Sequence, residues 1–245
     1  MYQRSERAEW FYKMSFSTNS REYGIWLTGT YVHMEDLQNY ARLFPEDFVY
    51  VDKGLYSPDM KIAYGYAVDG DEVWRIPESV EIFDNIFDPA EGFMDPNNLR
   101  EVYIGKNLRE ITDIMGCFGM RLRKVHVAEE NEYFTSVNGC LYSKDKKELL
   151  HYPPKHPDEC FTICEETEVV KKRAVVVSLL PKKFVIPANV KVLEKGWLWE
   201  LYDKGFDMTR EEILEFTIEA PKHLKKDIES IWADYKYGRP TIVYK

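Results

Sequence analysis

Short segments in which apolar residues alternate with polar ones recur along the chain, and each is followed by apolar residues at three-residue steps. Leu99–Ile104 (LREVYI) matches Leu122–Val127 (LRKVHV). The alternation predicts short strands with every second side chain inward, and the following steps indicate a tight return segment. One such coil cannot cover its own apolar side, so coils must stack. We expect six stacked coils from about Val73 to Val243, on strand cores at Trp74–Pro77, Leu99–Ile104, Leu122–Val127, Phe161–Cys164, Val185–Pro187 and Phe216–Glu219.

A longer match identifies a second kind of unit. Val51–Lys61 (VDKGLYSPDMK) aligns without a gap on Val137–Lys147 (VNGCLYSKDKK). In the second copy an apolar run, the polar turn Ser143–Lys147 and another apolar run, Leu149–Tyr152, follow one another. This order predicts a β-hairpin inserted between coils, in both copies.

The two ends of the chain are less regular, and we expect them to cover the exposed ends of the core. Residues 1–44 are interpreted as an N-terminal cap or degenerate repeat, with a possible strand at Ile25–Val32. Residues 34–44 could form a short helix or a degenerate coil, and 45–245 the repeat region. Thr209–Glu212 resembles a capping box that opens a short helix. A C-terminal helical cap is predicted by apolar residues at helical spacing, Leu224, Ile228, Ile231, Trp232 and Tyr235.

Three motifs together resemble the BspA-like leucine-rich repeats over roughly residues 45–220. They are VxGxLYSxDxKxL at Val137–Leu149, YPP at Tyr152–Pro154, and IPxxV at Ile76–Val80 and Ile186–Val190. The resemblance implies an α/β or mostly β repeat fold, a right-handed solenoid with a concave sheet, inserted β-hairpins and capping ends. It also implies adhesion or protein binding, as in surface proteins of host-associated microbes, and brings no catalytic residues.

Composition narrows the choice of partners. The chain carries 33 basic and 42 acidic residues, a net charge of −9, which argues against nucleic-acid backbones and anionic membranes because both attract clustered Lys and Arg. No stretch approaches the roughly 18 apolar residues of a membrane span. Residues 1–9 precede no apolar signal core, so we expect a cytoplasmic protein, with the cell surface or secretion as the alternative implied by the resemblance.

No catalytic signature occurs in the sequence, and we expect a protein that is not an enzyme and needs no cofactor. The strongest metal-like grouping is His151, His156, Cys160 and Cys164. Alternation turns Cys160 away from the inward Phe161, and a strand would place the Cα atoms of Cys160 and Cys164 some 13 Å apart, so a zinc site is disfavoured. A metal or thiol enzyme built on these four residues is nevertheless the third hypothesis, after a binding module and an adhesin.

Further titratable residues have simpler interpretations. Asp69–Glu72 has too few oxygens at fixed spacing for a calcium loop and is interpreted as a polar hairpin turn. The four cysteines, Cys117, Cys140, Cys160 and Cys164, are too sparse for a disulfide framework and are expected as reduced thiols. The histidines His33, His126 and His223 lie at no recognisable catalytic spacing.

The strand alternation also predicts where a partner would bind. If Val102 and Ile104 face the core, the residues between them face the concave side. One outward row is then Arg75, Tyr103, His126, Thr162, Val185 and Thr217. The neighbouring row is Val73, Glu101, Lys124, Cys160, Lys183 and Glu215. This mixture of aromatic, charged and small residues suits a protein or peptide partner, and the predicted ligand-binding residues are Arg75, Glu101, Tyr103, Lys124, His126, Thr162, Lys183 and Val185.

Overall fold

The computed structural model describes residues 5, 6, 8, 34–67, 69–86, 98–112, 121–176, 181–199, 216–231 and 240–245 of the 245-residue chain. Four predictions fall on other residues: the strand Ile25–Val32, the capping box Thr209–Glu212, and the helical positions Trp232 and Tyr235. They lie outside the described residues. Cys117, one of the predicted reduced thiols, and Glu215 of the predicted neighbouring outward row lie outside them as well.

The described residues form short strands with a few helical turns. The helices are α1, Met34–Leu43, and α2, Lys225–Ile231, which follows a 3-10 turn at Lys222–Leu224. Of the two alternatives for 34–44, the structure therefore shows the helix. The strands are β1 Val49–Val51, β2 Gly54–Tyr56, β3 Ile62–Tyr66, β4 Val73–Arg75, β5 Ile82–Phe83, β6 Glu101–Ile104, β7 Glu110–Ile111, β8 Lys124–Val127, β9 Phe134–Val137, β10 Cys140–Ser143, β11 Glu148–His151, β12 Cys160–Thr162, β13 Val169–Val170, β14 Val175–Val176, β15 Lys183–Val185, β16 Val192–Leu193, β17 Leu198–Trp199, β18 Thr217–Ala220 and β19 Thr241–Tyr244.

Two compact units make up the chain. The first comprises residues 1–122 and 126–133, and the second comprises 123–125 and 134–245. Within the described ranges, no helix is long and apolar enough to cross a membrane.

Each unit contains a five-stranded sheet with the same connectivity. In the first unit the order is β1-β2-β3-β5-β7, and in the second it is β9-β10-β11-β13-β16. The first three strands of each sheet pair antiparallel, and the remaining two add on in parallel. The two predicted hairpins are thus confirmed, and each is extended to a three-stranded meander.

The matched sequences of the two meanders form matched turns. Asp52 and Lys53 have positive φ angles of 45° and 68°, and the aligned Asn138 and Gly139 have 50° and 80°. Two consecutive positive φ angles define the type I′ turn, whose twist suits a two-residue hairpin.

The second turn of each meander is closed by a serine. The Ser57 hydroxyl donates to Asp59 Oδ1 at 2.6 Å and accepts the backbone N–H of Ile62 at 2.9 Å. Ser143 repeats this arrangement, with 2.7 Å to Asp145 Oδ1 and 2.9 Å from the Glu148 N–H. The LYSxD letters shared by the two copies therefore encode one hydrogen-bonded turn, which satisfies backbone groups that the strand ladder leaves open.

Parallel strands supply the other sheets, as the alternating segments predict. In the first unit, β4 pairs with β6, and β6 also neighbours β8, whose His126 and Val127 belong to this unit. In the second unit the order is β12-β15-β18-β19, and β14 pairs with β17. Their inward side chains are buried, among them Trp74, Val102, Phe161, Phe184 and Ile218. This is a β-rich repeat fold, and β19 adds a strand where the sequence predicted only a helical cap.

Between a strand and its return segment, the chain turns the same corner in several repeats. At this corner a backbone N–H donates to the carbonyl of the residue three positions earlier. Val80 donates to Pro77 at 3.0 Å, and Val190 donates to Pro187 at 3.2 Å. The donor residue is buried and usually apolar. Asn131 takes this position in one repeat, and its amide donates to the Gly105 and Leu108 carbonyls at 2.8 Å each. The IPxxV motif is this corner.

One turn prediction is wrong in part. Asp69–Glu72 does contain a turn, closed by the Gly70 N–H on the Ala67 carbonyl at 3.0 Å. It is not a hairpin turn, because β3 before it and β4 after it belong to different sheets. Polar residues between two strands indicate a turn, but they carry no information about whether the flanking strands pair with each other.

The two units also repeat a row of ion pairs, which we call an ion ladder. It follows the two-residue return strands, β5 and β7 in the first unit and β13 and β16 in the second. In the first unit, Glu81 lies between Lys61 at 2.9 Å and Arg109 at 3.3 Å. In the second, Glu168 lies between Lys147 at 3.4 Å and Lys191 at 2.7 Å. The backbone bonds at these positions correspond as well, with Glu81 and Glu168 each donating to the preceding lysine carbonyl at 2.8 Å. The two units are therefore two copies of one scaffold.

Candidate functional site

The outward face of the β4–β6 sheet in the first unit holds four of the predicted ligand-binding residues. The strands pair Arg75 with Tyr103 and Val73 with Glu101. Because Trp74 and Val102 between them are buried, period-2 alternation turns Arg75, Tyr103 and Glu101 outward. His126 lies on β8 beside them. We call Arg75, Glu101, Tyr103 and His126 the outward cluster.

Three side chains of the outward cluster form a layered stack. The Tyr103 and His126 rings lie 4.2 Å apart between centroids and within 10° of parallel. The Arg75 Cζ atom lies 3.8 Å from the Tyr103 ring centroid. A guanidinium over a tyrosine face is attracted by the ring quadrupole, by about 0.5–1 kcal/mol at an exposed site. The stack therefore holds three polar side chains in a fixed arrangement at the surface.

The carboxylate of Glu101 is the fourth member of the cluster. Its Oε2 atom lies 2.9 Å from His126 Nε2 and accepts the Tyr103 hydroxyl at 3.3 Å. The Glu101 and His126 side chains are about one third exposed, at 35% and 38%. These contacts fix the orientation of the imidazole and tie the carboxylate to the stack.

The equivalent face of the second unit is chemically different. There Thr162 corresponds to Arg75 and Val185 to Tyr103, since Thr162 pairs with Val185 as Arg75 pairs with Tyr103. Lys183 corresponds to Glu101. Its ammonium lies 2.6 Å from the carboxylate of Glu219, the β18 residue that pairs with Val185 of β15. The same scaffold thus folds with small residues and an ion pair where the first unit has the stack, and the stack is not required by the fold.

One predicted row contains an error of register. The predicted row has Thr217 beside Val185, whereas in the structure Thr217 pairs with Lys183 and Glu219 pairs with Val185. A two-residue slip keeps every side chain on its own side of the sheet, so alternation alone cannot detect it. The signal that could have found it is proline, because Pro77 and Pro187 each lie two residues after the outward Arg75 and Val185, and Pro221 lies two residues after Glu219. Aligning these prolines places Glu219 in the outward row in place of Thr217.

The remaining predicted residues belong to the second unit. Thr162 is exposed, and Val185 and Lys183 are half-buried on the second unit's sheet. Lys124 is exposed on β8. A Cβ atom added to Gly139 would lie 3.0 Å from the Cγ atom of Lys124. The lysine stem therefore packs over the type I′ turn, which requires glycine there for both φ and space.

The structure does not gather the metal-like residues into one site. Among the described residues, no group of three or more His, Cys, Asp and Glu side chains is arranged to hold a metal ion. His151 is buried, and burial lowers the pKa of its imidazole to about 4. His156 packs between Tyr152 and Phe161 and bonds the Asn138 carbonyl at 2.5 Å. Cys160 is exposed, and the Cys164 thiol donates to Glu166 at 2.9 Å.

Comparisons with known proteins give structural similarities only. No protein-family model matches this chain, and no curated protein sequence matches it. A leucine-rich repeat protein from Eubacterium ventriosum is 23% identical, with a TM-score of 0.45, over 61% of this chain and 36% of that one. The pneumococcal vaccine antigen PcpA is 15% identical, with a TM-score of 0.38, over 72% of this chain and 68% of that one.

A leucine-rich cell surface protein from Faecalibacterium prausnitzii is 16% identical, with a TM-score of 0.38, over 51% of this chain and 38% of that one. The aligned region thus spans little more than a third of two of these three proteins. Both of those are named as leucine-rich proteins, the class that the hairpin and corner motifs of this chain resemble.

Proposed function

We propose that this chain is a non-enzymatic binding module that recognises a protein partner through the outward face of its parallel sheets. In this proposal the parallel repeats form the right-handed solenoid with capped ends that the sequence resemblance implies. The outward face is then the concave face of the solenoid. Extended curved surfaces of this kind are what stacked repeats offer to a partner.

The observation that carries the proposal is the layered stack of Arg75, Tyr103 and His126. Tyr and Arg are enriched among the residues that dominate binding energy, because they give large contact area and directed hydrogen bonds. The stack restrains these side chains before a partner arrives, which lowers the entropy cost of binding. The second unit supports the argument, since its scaffold is built without such a stack at the equivalent positions.

The test compares capture of partners by wild-type chain and by a Tyr103→Ala, His126→Ala double variant, using chemical crosslinking in extracts of the source cells. We expect at least one captured protein whose recovery falls about tenfold or more with the double variant. A Glu165→Ala, Lys195→Ala variant, altered at exposed positions of the second unit away from its sheet face, is the control. If all proteins are recovered equally from wild type and the double variant, the proposed binding face is wrong.

A cell-surface role is the second candidate, motivated by the sequence resemblance and by the aromatic content of 15%. In that case the same face would contact a host protein or a carbohydrate, whereas a cytoplasmic chain would bind an intracellular protein. Treating intact source cells with external protease separates the two, since only a surface chain is cleaved. A glycan array then distinguishes a carbohydrate ligand from a protein ligand.

A further inference from the structure

We propose that Arg75 recognises a carboxylate of the partner, so that the segment bound by the outward cluster is a peptide carrying an isolated Asp, Glu or C-terminal carboxylate. This inference rests on the proposed binding function and gives it a chemical class of ligand.

The first step in the argument is the orientation of the guanidinium. Its Cζ atom lies 3.8 Å from the Tyr103 ring centroid, so one face of the planar group is occupied by the ring. The N–H donors of a guanidinium lie in its plane and point outward from its edge, in a fork that matches the two oxygens of a carboxylate. Stacking on Tyr103 therefore leaves the recognition edge of Arg75 accessible and holds it in place.

The second step is what Arg75 lacks. Within the described part of the chain, its guanidinium makes no ion pair or hydrogen bond, and the residue is exposed. Two other arginines of the same unit differ in this respect: Arg109 lies 3.3 Å from Glu81, and Arg100 lies 3.9 Å from Glu72. Arg75 is thus an ordered cation whose charge is not compensated by a described neighbour.

The third step concerns the nearest acid on the same face. Glu101 is in the neighbouring outward row, but its Oε2 atom is engaged by His126 at 2.9 Å and by the Tyr103 hydroxyl at 3.3 Å. Both contacts are with members of the outward cluster other than Arg75. The Glu101 carboxylate is therefore bonded within the cluster, and the Arg75 guanidinium remains available to a carboxylate of the partner.

The fourth step limits how acidic the partner is. The chain has a net charge of −9, so a long run of acidic residues, or a phosphate polymer, would be repelled over most of the surface. Val73 lies beside the cluster with 39% of its surface exposed and offers an apolar contact. A single carboxylate flanked by uncharged or apolar residues satisfies both conditions.

The second unit supplies variants for the test. Since Thr162 and Val185 occupy the positions of Arg75 and Tyr103 on the same scaffold, Arg75→Thr and Tyr103→Val introduce residues that the fold already accommodates there. Arg75→Lys keeps the charge and loses the planar fork. Arg109→Gln removes an arginine that is already paired and serves as the control.

The experiment is selection of twelve-residue peptides from a random phage-displayed library on the full chain, followed by affinity measurement for the selected peptides. We expect enrichment of one acidic position, a loss of about tenfold or more with Arg75→Thr, a smaller loss with Arg75→Lys, and no change with Arg109→Gln. Replacing the acidic residue of a selected peptide by its amide should weaken wild type as strongly as Arg75→Thr does, and should not weaken Arg75→Thr further.

Two results would overturn the inference, and they are distinguishable. Peptides that lose affinity with Tyr103→Val but show no acidic preference and bind Arg75→Thr unchanged would leave the binding face standing and remove the carboxylate. Selected peptides that are all indifferent to both Tyr103→Val and Arg75→Thr would remove the proposed binding face as well. Matching circular dichroism spectra of the variants would show that neither result comes from unfolding.

Discussion

Individual residues of this chain owe their properties to their place in the repeat. Tyr103 and Val185 stand at equivalent positions of two copies of one scaffold, and both have buried residues on either side. The outward residue can vary because it takes little part in the core, whereas the inward residues Val102 and Phe184 remain apolar. Alternation in the sequence predicted this division. It could not predict the stacking of Arg75, Tyr103 and His126, since contacts between neighbouring strands depend on rotamers.

The buried histidine gives a prediction at the residue scale. Burial lowers the pKa of His151 from 6.5 to about 4 in the folded state. Above pH 6.5 the imidazole is neutral in both folded and unfolded chains, so it does not affect stability. As the pH falls from 6.5 towards 4, the unfolded chain binds a proton that the fold excludes, and the free energy of unfolding should fall by about 3 kcal/mol in total.

The measurement is urea unfolding at pH 7.5 and at pH 4.5 for wild type and His151→Leu. We expect the variant to lose less stability than wild type between the two pH values, by about 2–3 kcal/mol. His223→Gln, which alters an exposed histidine of the same unit, should follow wild type. Equal losses for wild type and His151→Leu would show that the imidazole is not excluded from protonation in the fold.

At the scale of elements, the antiparallel meander was the more predictable part. Two copies of a LYSxD motif are a strong local signal because one serine and one aspartate close the turn within five residues. The return strands were harder, since two-residue strands such as β5 and β13 are defined by pairing with distant segments. The strand β19 was missed for the same reason, as its four residues form a strand through pairing with β18.

The serine turn yields a prediction at this scale. Replacing Ser143 by Ala removes the hydroxyl that donates to Asp145 and accepts the Glu148 N–H, and should lower the free energy of unfolding by about 1–2 kcal/mol. Ser57→Ala removes the matching bonds of the first unit and should cost a similar amount.

Chemical denaturation of the single variants measures these changes. Ser136→Ala, in β9 of the same meander, is the control, and we expect it to change the free energy of unfolding by less than about 0.5 kcal/mol. If Ser143→Ala unfolds like Ser136→Ala, the hydroxyl does not stabilise the turn.

At the scale of the molecule, the sequence predicted repeated stacking but not the two-copy arrangement. The sequence match between Val51–Lys61 and Val137–Lys147 covers one meander only, whereas the structure extends the correspondence to return strands, corners and ion ladders. Those later parts share geometry with few identical residues: Arg109 corresponds to Lys191, and Val80 to Thr167. Parallel strands tolerate such changes because their pairing uses the backbone.

A further ion ladder of the second unit, centred on Lys171, can be tested by charge reversal. Lys171 lies between Glu148 at 3.6 Å and Glu194 at 2.6 Å, and Glu194 raises the pKa of the Lys171 ammonium. Lys171→Glu would place three carboxylates in one row, and we expect a loss of roughly 1–2 kcal/mol in stability at low salt.

Salt distinguishes this effect from lost packing. In about 0.5 M salt the Debye length falls to a few ångströms, and the loss caused by Lys171→Glu should shrink by about half. Lys195→Glu makes the same charge change at an exposed position outside the ladder and should cost less than about 0.5 kcal/mol at either salt concentration. A loss for Lys171→Glu that salt leaves unchanged would mean that the ladder is not the cause.

The duplicated meander has a consequence for the order in which each unit folds. Its turns join residues close in the chain, and hairpins of this size form within about 1–10 μs. The parallel strands instead join residues that are distant in the chain, such as Cys160 and Lys183, and must close longer loops before they gain any contact. We therefore expect each meander to form early. Its edge strand, β3 or β11, is then available to pair in register with the first parallel strand, β5 or β13.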